Sequence, residues 1–245
     1  LTVFGASRFY LDGAVEKGIV VDLSKRFEDY LNKRLNRGHL RIRVLTIPVA
    51  RDQLIPSLLE GYGDLISADL TRTQRREEQV AFSVAASKPV SEILVTGPTA
   101  PEIIQIEDLA GETLYLRSSS SYLDSIEKLN TRFKNSGRNA IHTEPISELL
   151  EDDDIIEMVN AGLLPWAIVD DYKPIIWRNL FQNIRVRSDI VFRERGALAW
   201  AFRKDSPILE GMVNDFLREN RQGTLIGNVI HNRYIRDFDY AKNAL

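Results

Sequence analysis

Three stretches of this chain place charged or hydroxyl side chains where a strand gives way to a loop. Thr71 to Arg76, behind Asp69 and Leu70, carries two hydroxyls and three guanidiniums in six residues. A guanidinium can grip a carboxylate or phosphate through two parallel hydrogen bonds. A solvated helix start explains the same residues, with Thr71 or Thr73 as N-cap and Glu77 and Glu78 favouring the helix dipole. Arg117-Ser118-Ser119-Ser120-Ser121 lies between a strand pattern and a helix pattern. Backbone N–H groups at a helix N-terminus, with hydroxyls beside them, make an anion site. A well-capped helix, with Ser121 and Asp124 in capping-box positions, is the plainer account. Asp170-Asp171 follows an apolar run, so Asp170 is either an ammonium-binding carboxylate or a turn residue. Phe9 and Tyr10 could stack on a ligand, although core packing is the commoner fate of such a pair.

Other chemistries find less support. The chain has no cysteine, which excludes disulfides, thiolate metal sites and Cys nucleophiles. Glu151 to Asp154 lacks the alternating spacing and closing Glu of a calcium loop, and acids ahead of a helix explain it. His39, His142 and His231 show no metal-ligand spacing, so no metal and no cofactor is expected. A net charge of −3 gives no basic excess with which to hold nucleic acid. No apolar run approaches the ~20 residues of a membrane span. The first residue, Leu1, reads as that of a processed or trimmed chain.

The elements that must position these residues follow from periodicity. Residues 1–5 read as a short strand. Leu23, Phe27, Tyr30, Leu31 and Leu35 mark one face of a helix that stops before Gly38. Residues 39–47 alternate like a strand, 53–61 form a short helix, and 64–68 form another strand. That order implies a mostly parallel sheet with helices on its faces, with ligands beyond the carboxyl ends of the strands. Gly97 to Pro101 has the composition of a linker. Beyond it come strands at 113–116, 166–169 and 197–202, and helices at 121–133, 155–160 and 208–219. The 245 residues suffice for one large α/β domain or two lobes.

Taken in order, Leu54 to Gly61, Asp64-Leu65-Ile66, Thr71 to Arg76 and Val80-Ala81-Phe82-Ser83 resemble the amino-acid-type periplasmic solute-binding proteins of family 3. Asp108 to Gly111 with the serine loop, and Ala167 to Asp170, continue the likeness. A narrower resemblance is to the binding domain of membrane-bound lytic transglycosylase F-like proteins. It is carried by Phe9 to Gly13, Gly38-His39-Leu40, Ile47 to Leu54, Met158 to Pro165 and Gln222 to Asn228. The ending Tyr234 to Leu245 is similar to the joint before their peptidoglycan-cleaving domain.

The resemblance implies a type II periplasmic-binding-protein fold: two α/β lobes, each a mostly parallel sheet flanked by helices. Residues 1–93 plus 190–245 would form lobe 1, and 94–189 lobe 2. It implies a domain without catalytic residues that closes on a small zwitterionic or carboxylate ligand, an amino acid or a muropeptide-like molecule. Arg76 would grip the carboxylate and Thr71 add a hydroxyl, with Asp69 beside them. Ser119 and Ser120 would contribute from the second lobe, Asp170 would take the amino group, and Tyr10 would flank the side chain. Arg72, Gln74, Arg75 and Asp69 depart from the family pattern. The partner would be a fused peptidoglycan-cleaving domain, with the chain a ligand-sensing regulatory domain in the periplasm, attached to the outer membrane through other parts. The alternatives are a free-standing binding protein delivering to a transporter permease and a dehydratase-like enzyme on the same fold.

Overall fold

A computed structural model describes residues 1–235. The chain divides into two compact units, Leu1–Lys88 with the chain from Ala197 onward, and Pro89–Gly196. The first unit opens with β1 (Tyr10–Asp12), β2 (Val15–Lys17), α1 (Ile19–Arg34), α2 (Leu54–Leu59), β3 (Ile66–Thr71), α3 (Gln74–Glu77) and β4 (Ala81–Ala85). The second contains β5 (Val90–Thr96), β6 (Thr113–Leu116), α4 (Tyr122–Asn135), β7 (His142–Pro145), α5 (Asp152–Asn160), β8 (Trp166–Asp170), α6 (Lys173–Trp177) and β9 (Arg185–Gly196). The chain then returns to the first unit as β10 (Leu198–Phe202), α7 (Pro207–Asn220) and α8 (Leu225–Ile235).

The first unit is built on the sheet β3-β10-β4. One core gathers Val3, Leu54, Leu58, Ile66, Ala68 and Leu70. Of the helical face read from the sequence, Leu23, Phe27 and Leu31 are buried, while Leu35 lies at the exposed end of α1. Phe27 meets Trp200 and Phe216 with ring centroids 5.9 and 5.1 Å apart, the spacing of tilted and edge-on aromatic pairs. Gly18 has φ +125, and a Cβ there would sit 2.1 Å from the Arg8 carbonyl. Glycine thus lets the Gly5–Phe9 turn lie against the start of α1, where Ile19 and Val20 donate to the Ser7 and Arg8 carbonyls.

In the second unit, β8-β5-β9 and the pair β6-β7 cover a core of Leu94, Leu114, Ile126, Phe133, Trp166 and Ile168. Residues 93/94 and 189/190, the boundaries expected from the sequence, fall inside β5 and β9, which pair with each other along their length. Gly97 to Pro101 lies within this unit. A Cβ on Gly97 would meet the Val159 carbonyl at 2.3 Å, so this glycine serves close packing.

Two details differ from the sequence reading. Parallel pairing occurs between β6 and β7 and at the Thr2–Pro48 bridge, but the longer ladders are antiparallel, because β9 and β10 run back along strands laid down earlier. Residues 39–47 form no strand: 39 and 40 are bends, and 41–47 join no ladder. Side chains of α1 satisfy their backbone instead. Asn32 donates to and accepts from Ile42 at 2.9 and 2.8 Å, and Glu28 accepts from the Val44 N–H at 2.9 Å.

Candidate functional site

In the first unit the candidate residues cluster where β3 runs into α3. Asp69 has φ +50, a left-handed conformation that Asp and Asn tolerate better than most residues. The β3–β10 register shifts opposite this position, between Ala199 and Ala201. The Asp69 carboxylate is ion-paired with Arg8. Two residues on, Thr71 is buried, and its carbonyl accepts a 2.9 Å hydrogen bond from Arg76 Nη1. Thr73 caps α3, its hydroxyl accepting from the Arg76 N–H at 3.4 Å. The cap read from the sequence and the guanidinium therefore coexist: Thr73 starts the helix, and one turn later Arg76 points back toward Thr71. Arg72 is ion-paired with Glu77 on the surface.

The aromatic pair separates. Phe9 is core, edge-on to Phe4 with centroids 5.3 Å apart. Tyr10 is half-buried and edge-on to Tyr234 at 6.5 Å, and partial burial raises its hydroxyl above the usual range. Tyr234 and Ile235 are the residues of the expected joint inside the described chain; 236–245 lie outside it.

The second unit carries a buried network around the start of α4. Asp152, at the start of α5, accepts from Arg117 and Lys173, and from the Tyr122 hydroxyl at 2.8 Å. The same hydroxyl accepts the Asp170 N–H at 3.1 Å. Lys173 also stands 3.6 Å from the Asp170 carboxylate. Burial, and then Asp152, push the Tyr122 phenol well above its usual range, so it remains a donor. Asp170 lies directly across the ladder from Glu92, a like-charge pairing that is unfavourable unless compensated. Arg193 supplies compensation, 3.4 Å from Glu92 and 3.1 Å from the Ser125 hydroxyl, which itself donates to Glu92.

The serine loop is engaged from within the unit. Ser119 donates its N–H and hydroxyl to the two oxygens of Glu148, at 3.0 and 2.6 Å. Ser120 accepts the Tyr122 N–H at 3.2 Å. The acid run at 151–154 is structural. Asp154 accepts the Glu151 N–H at 2.7 Å in a capping box, and Asp153 accepts from Trp177 Nε1 at 2.6 Å.

The sequence reading missed Arg8, Tyr122, Glu148, Asp152, Lys173 and the Glu92–Arg193 pair as parts of these sites. Only the i,i+3 spacing of Asp170 and Lys173 was visible locally. The other partners are separated by long stretches of chain.

Glu92 gives this unit a pH dependence. Burial pushes its carboxyl up to about 7, and Arg193 and Ser125 offset that only in part. The folded state therefore binds the Glu92 proton more tightly than the unfolded chain does. The associated stability is full below the ordinary carboxylate range and declines as pH rises through 7. Over that interval the loss is on the order of 3 kcal/mol. Urea unfolding at pH 5 and pH 8 checks this. Glu92→Gln is expected to flatten the decline, and parallel wild-type and variant profiles would contradict it.

Comparison with known proteins gives the context. The model of the bacterial extracellular solute-binding proteins, family 3, matches residues 8–236. A membrane-bound lytic murein transglycosylase F of Desulfosudis oleivorans is 27% identical over 243 residues, covering 98% of this chain and 49% of that protein. That of Shewanella frigidimarina is 23% identical, with 98% and 47% covered. The chain thus spans about half the length of these relatives. Among solved structures, the substrate-binding protein of an amino acid ABC transporter superposes with TM-score 0.73 at 16% identity, covering 96% of this chain and 97% of that one. An ancestral arginine-binding protein bound to arginine gives 0.72 at 18%, covering 95% of each. These likenesses establish the fold, that of type II periplasmic-binding proteins.

Proposed function

The chain belongs to the bacterial extracellular solute-binding proteins of family 3, and from that premise we propose that it binds a small carboxylate-bearing ligand through Arg76. The observation that carries this reading is a buried guanidinium at the end of β3, set by the Thr71 carbonyl and by the turn that Thr73 caps. A guanidinium held this way presents a planar fork that matches a carboxylate, and partial exclusion from water strengthens the contact. Thr71 stands beside it, and Tyr10 offers a ring face for the rest of the ligand. Calorimetry on wild type and Arg76 variants tests the assignment.

The ligand class is an amino acid or a peptide from cell-wall turnover. Relatives named as murein transglycosylases match this chain over about half their length, which supports a ligand-sensing domain of a longer peptidoglycan-cleaving protein in the periplasm. Binding would act on that activity by favouring one conformation of the domain over another, which requires differential affinity for the two.

Catalysis is placed outside residues 1–245. A general acid of the lysozyme-like kind would be a glutamic acid in a Glu-Ser pair, and no glutamate here is followed by serine. Asp69 and Asp170, the acids that a dehydratase-like reaction would call on, are both ion-paired, with Arg8 and Lys173. The purified chain, incubated with peptidoglycan, is expected to release no anhydro-muropeptides detectable by mass spectrometry. Their appearance from a clean preparation would place catalytic residues within the chain.

A further inference from the structure

Between Asp29 and Asp52 the chain carries six lysines and arginines, His39 and no acid, in a molecule whose net charge is −3. The positive charge is therefore local to the end of α1 and the stretch that follows it. That stretch is held in place. The buried Asn32 side chain bonds both backbone groups of Ile42, Glu28 accepts from the Val44 N–H, and the Ile47 carbonyl accepts from the Thr2 N–H at 3.0 Å. Arg41, Arg43, Leu45 and Ile47 are exposed, and the residues between them less so. Leu40, at the bend, is 81% exposed and Leu45 78%. Single exposed leucines are ordinary, but here two stand in water on a braced, acid-free stretch among cations.

Nearby acids neutralise part of this charge. Arg43 is paired with Glu28 at 2.9 Å and Arg41 with Asp29 at 3.2 Å, yet the two arginine side chains remain 75% and 50% exposed. On the α7 side, Asp215 and Glu219 share the surroundings of Tyr30 with Arg34, and Asp215 is itself paired with Arg218. Lys33 and Arg37, both exposed, carry the excess.

We propose that residues 33–47 form a docking surface for an anionic lipid bilayer, with Leu40 and Leu45 entering the interface and Lys33, Arg37, Arg41 and Arg43 lying among the headgroups. Exposed leucines flanked by cations are the composition of segments that lie in a bilayer interface, where apolar tips leave water and long basic stems reach the headgroups. A nucleic acid would use the cations and leave both leucines in water. Arg41 and Arg43 stand between the two leucines in the chain, whereas the centre of a protein interface is depleted in charge. The surface lies wholly within the first unit and is independent of the Arg76 reading.

Co-sedimentation of the purified chain with lipid vesicles tests the proposal, using phosphatidylcholine alone and phosphatidylcholine mixed with phosphatidylglycerol. Binding to the mixed vesicles is expected to exceed that to neutral ones by about tenfold or more at low salt, and to fall severalfold at about 0.5 M salt. Leu40→Ser with Leu45→Ser should weaken binding to the mixed vesicles by about tenfold, and Lys33→Gln with Arg37→Gln by a similar factor. All four side chains are exposed, so both double variants should fold, which circular dichroism checks. The wild-type comparison needs no variant. No binding to either vesicle, equal binding to both, or unchanged binding by both double variants would overturn the proposal. Binding that survives loss of the leucines but not of the cations would show a general affinity for polyanions and overturn the lipid assignment.

Discussion

Replacing Asp152 with alanine is expected to destabilise the second unit by about 3–5 kcal/mol, the cost of removing one partner from a buried ion pair and leaving the other uncompensated. Asp152 is buried and receives Arg117, Lys173 and the Tyr122 hydroxyl. Its loss takes the shared carboxylate from Arg117 and Lys173, leaving Asp170 to face Lys173, and removes the acceptor that orients Tyr122, which in turn supports the Asp170 N–H. Urea denaturation followed by fluorescence reads the effect, because Trp166 and Trp177 lie in the second unit and Trp200 in the first. A second-unit transition moved to lower urea, with the first-unit signal little changed, is the expected pattern. Asp152→Asn keeps the side-chain shape and one of the two acceptor oxygens, so it should cost less than alanine. If Asp152→Ala unfolds like wild type, the network does not hold this unit together.

Arg76→Ala is expected to weaken binding of a carboxylate ligand by about 100-fold, since a two-pronged charge-assisted contact is worth on the order of 3 kcal/mol. The fold should survive with a loss of about 1 kcal/mol, because the variant removes the Nη1 bond to Thr71 but not the Thr73 cap, which acts on backbone. Arg76→Lys keeps the charge without the fork and should recover only part of the affinity. Unchanged affinity in Arg76→Ala, measured by calorimetry, would move the carboxylate site elsewhere.

The sequence displayed the elements more clearly than the partners. Leu23, Phe27 and Leu31 at helical spacing marked the buried face of α1, and the apolar run before Asp170 marked β8, because burial on one face leaves a period in the residues themselves. The same logic misread 39–47. Its alternation is genuine, but Asn32 and Glu28 of the preceding helix take hydrogen bonds that a neighbouring strand would otherwise supply, and hydrophobic periodicity carries no mark of such side-chain-to-backbone bonds.

The candidate residues divided along the same line. Thr71, Thr73 and Arg76 lie within six residues of one another, so their closeness was readable from spacing and resemblance. The pairing of Asp69 with Arg8, of Ser119 with Glu148, and of Arg117 and Lys173 with Asp152 joins residues 21 to 61 positions apart. Asp69 is instructive in a further way. An acid at this position looked like a candidate ligand contact, whereas its left-handed backbone gives a conformational reason for the residue type, and Arg8 already holds its charge.

The central claim is that the domain reads a carboxylate through Arg76. It is tested most directly by titrating the wild-type chain, by calorimetry, with the tightest-binding acid from a panel of amino acids, N-acetyl amino acids and cell-wall peptides, and then with the methyl ester of the same molecule. Esterification removes the charge and one of the two oxygens that the guanidinium fork engages, while leaving the remainder of the ligand in place. The account predicts saturable binding of the acid and a loss of about 100-fold or more for the ester, with Arg76→Ala unable to distinguish the two. Equal affinity of wild type for acid and ester would contradict it.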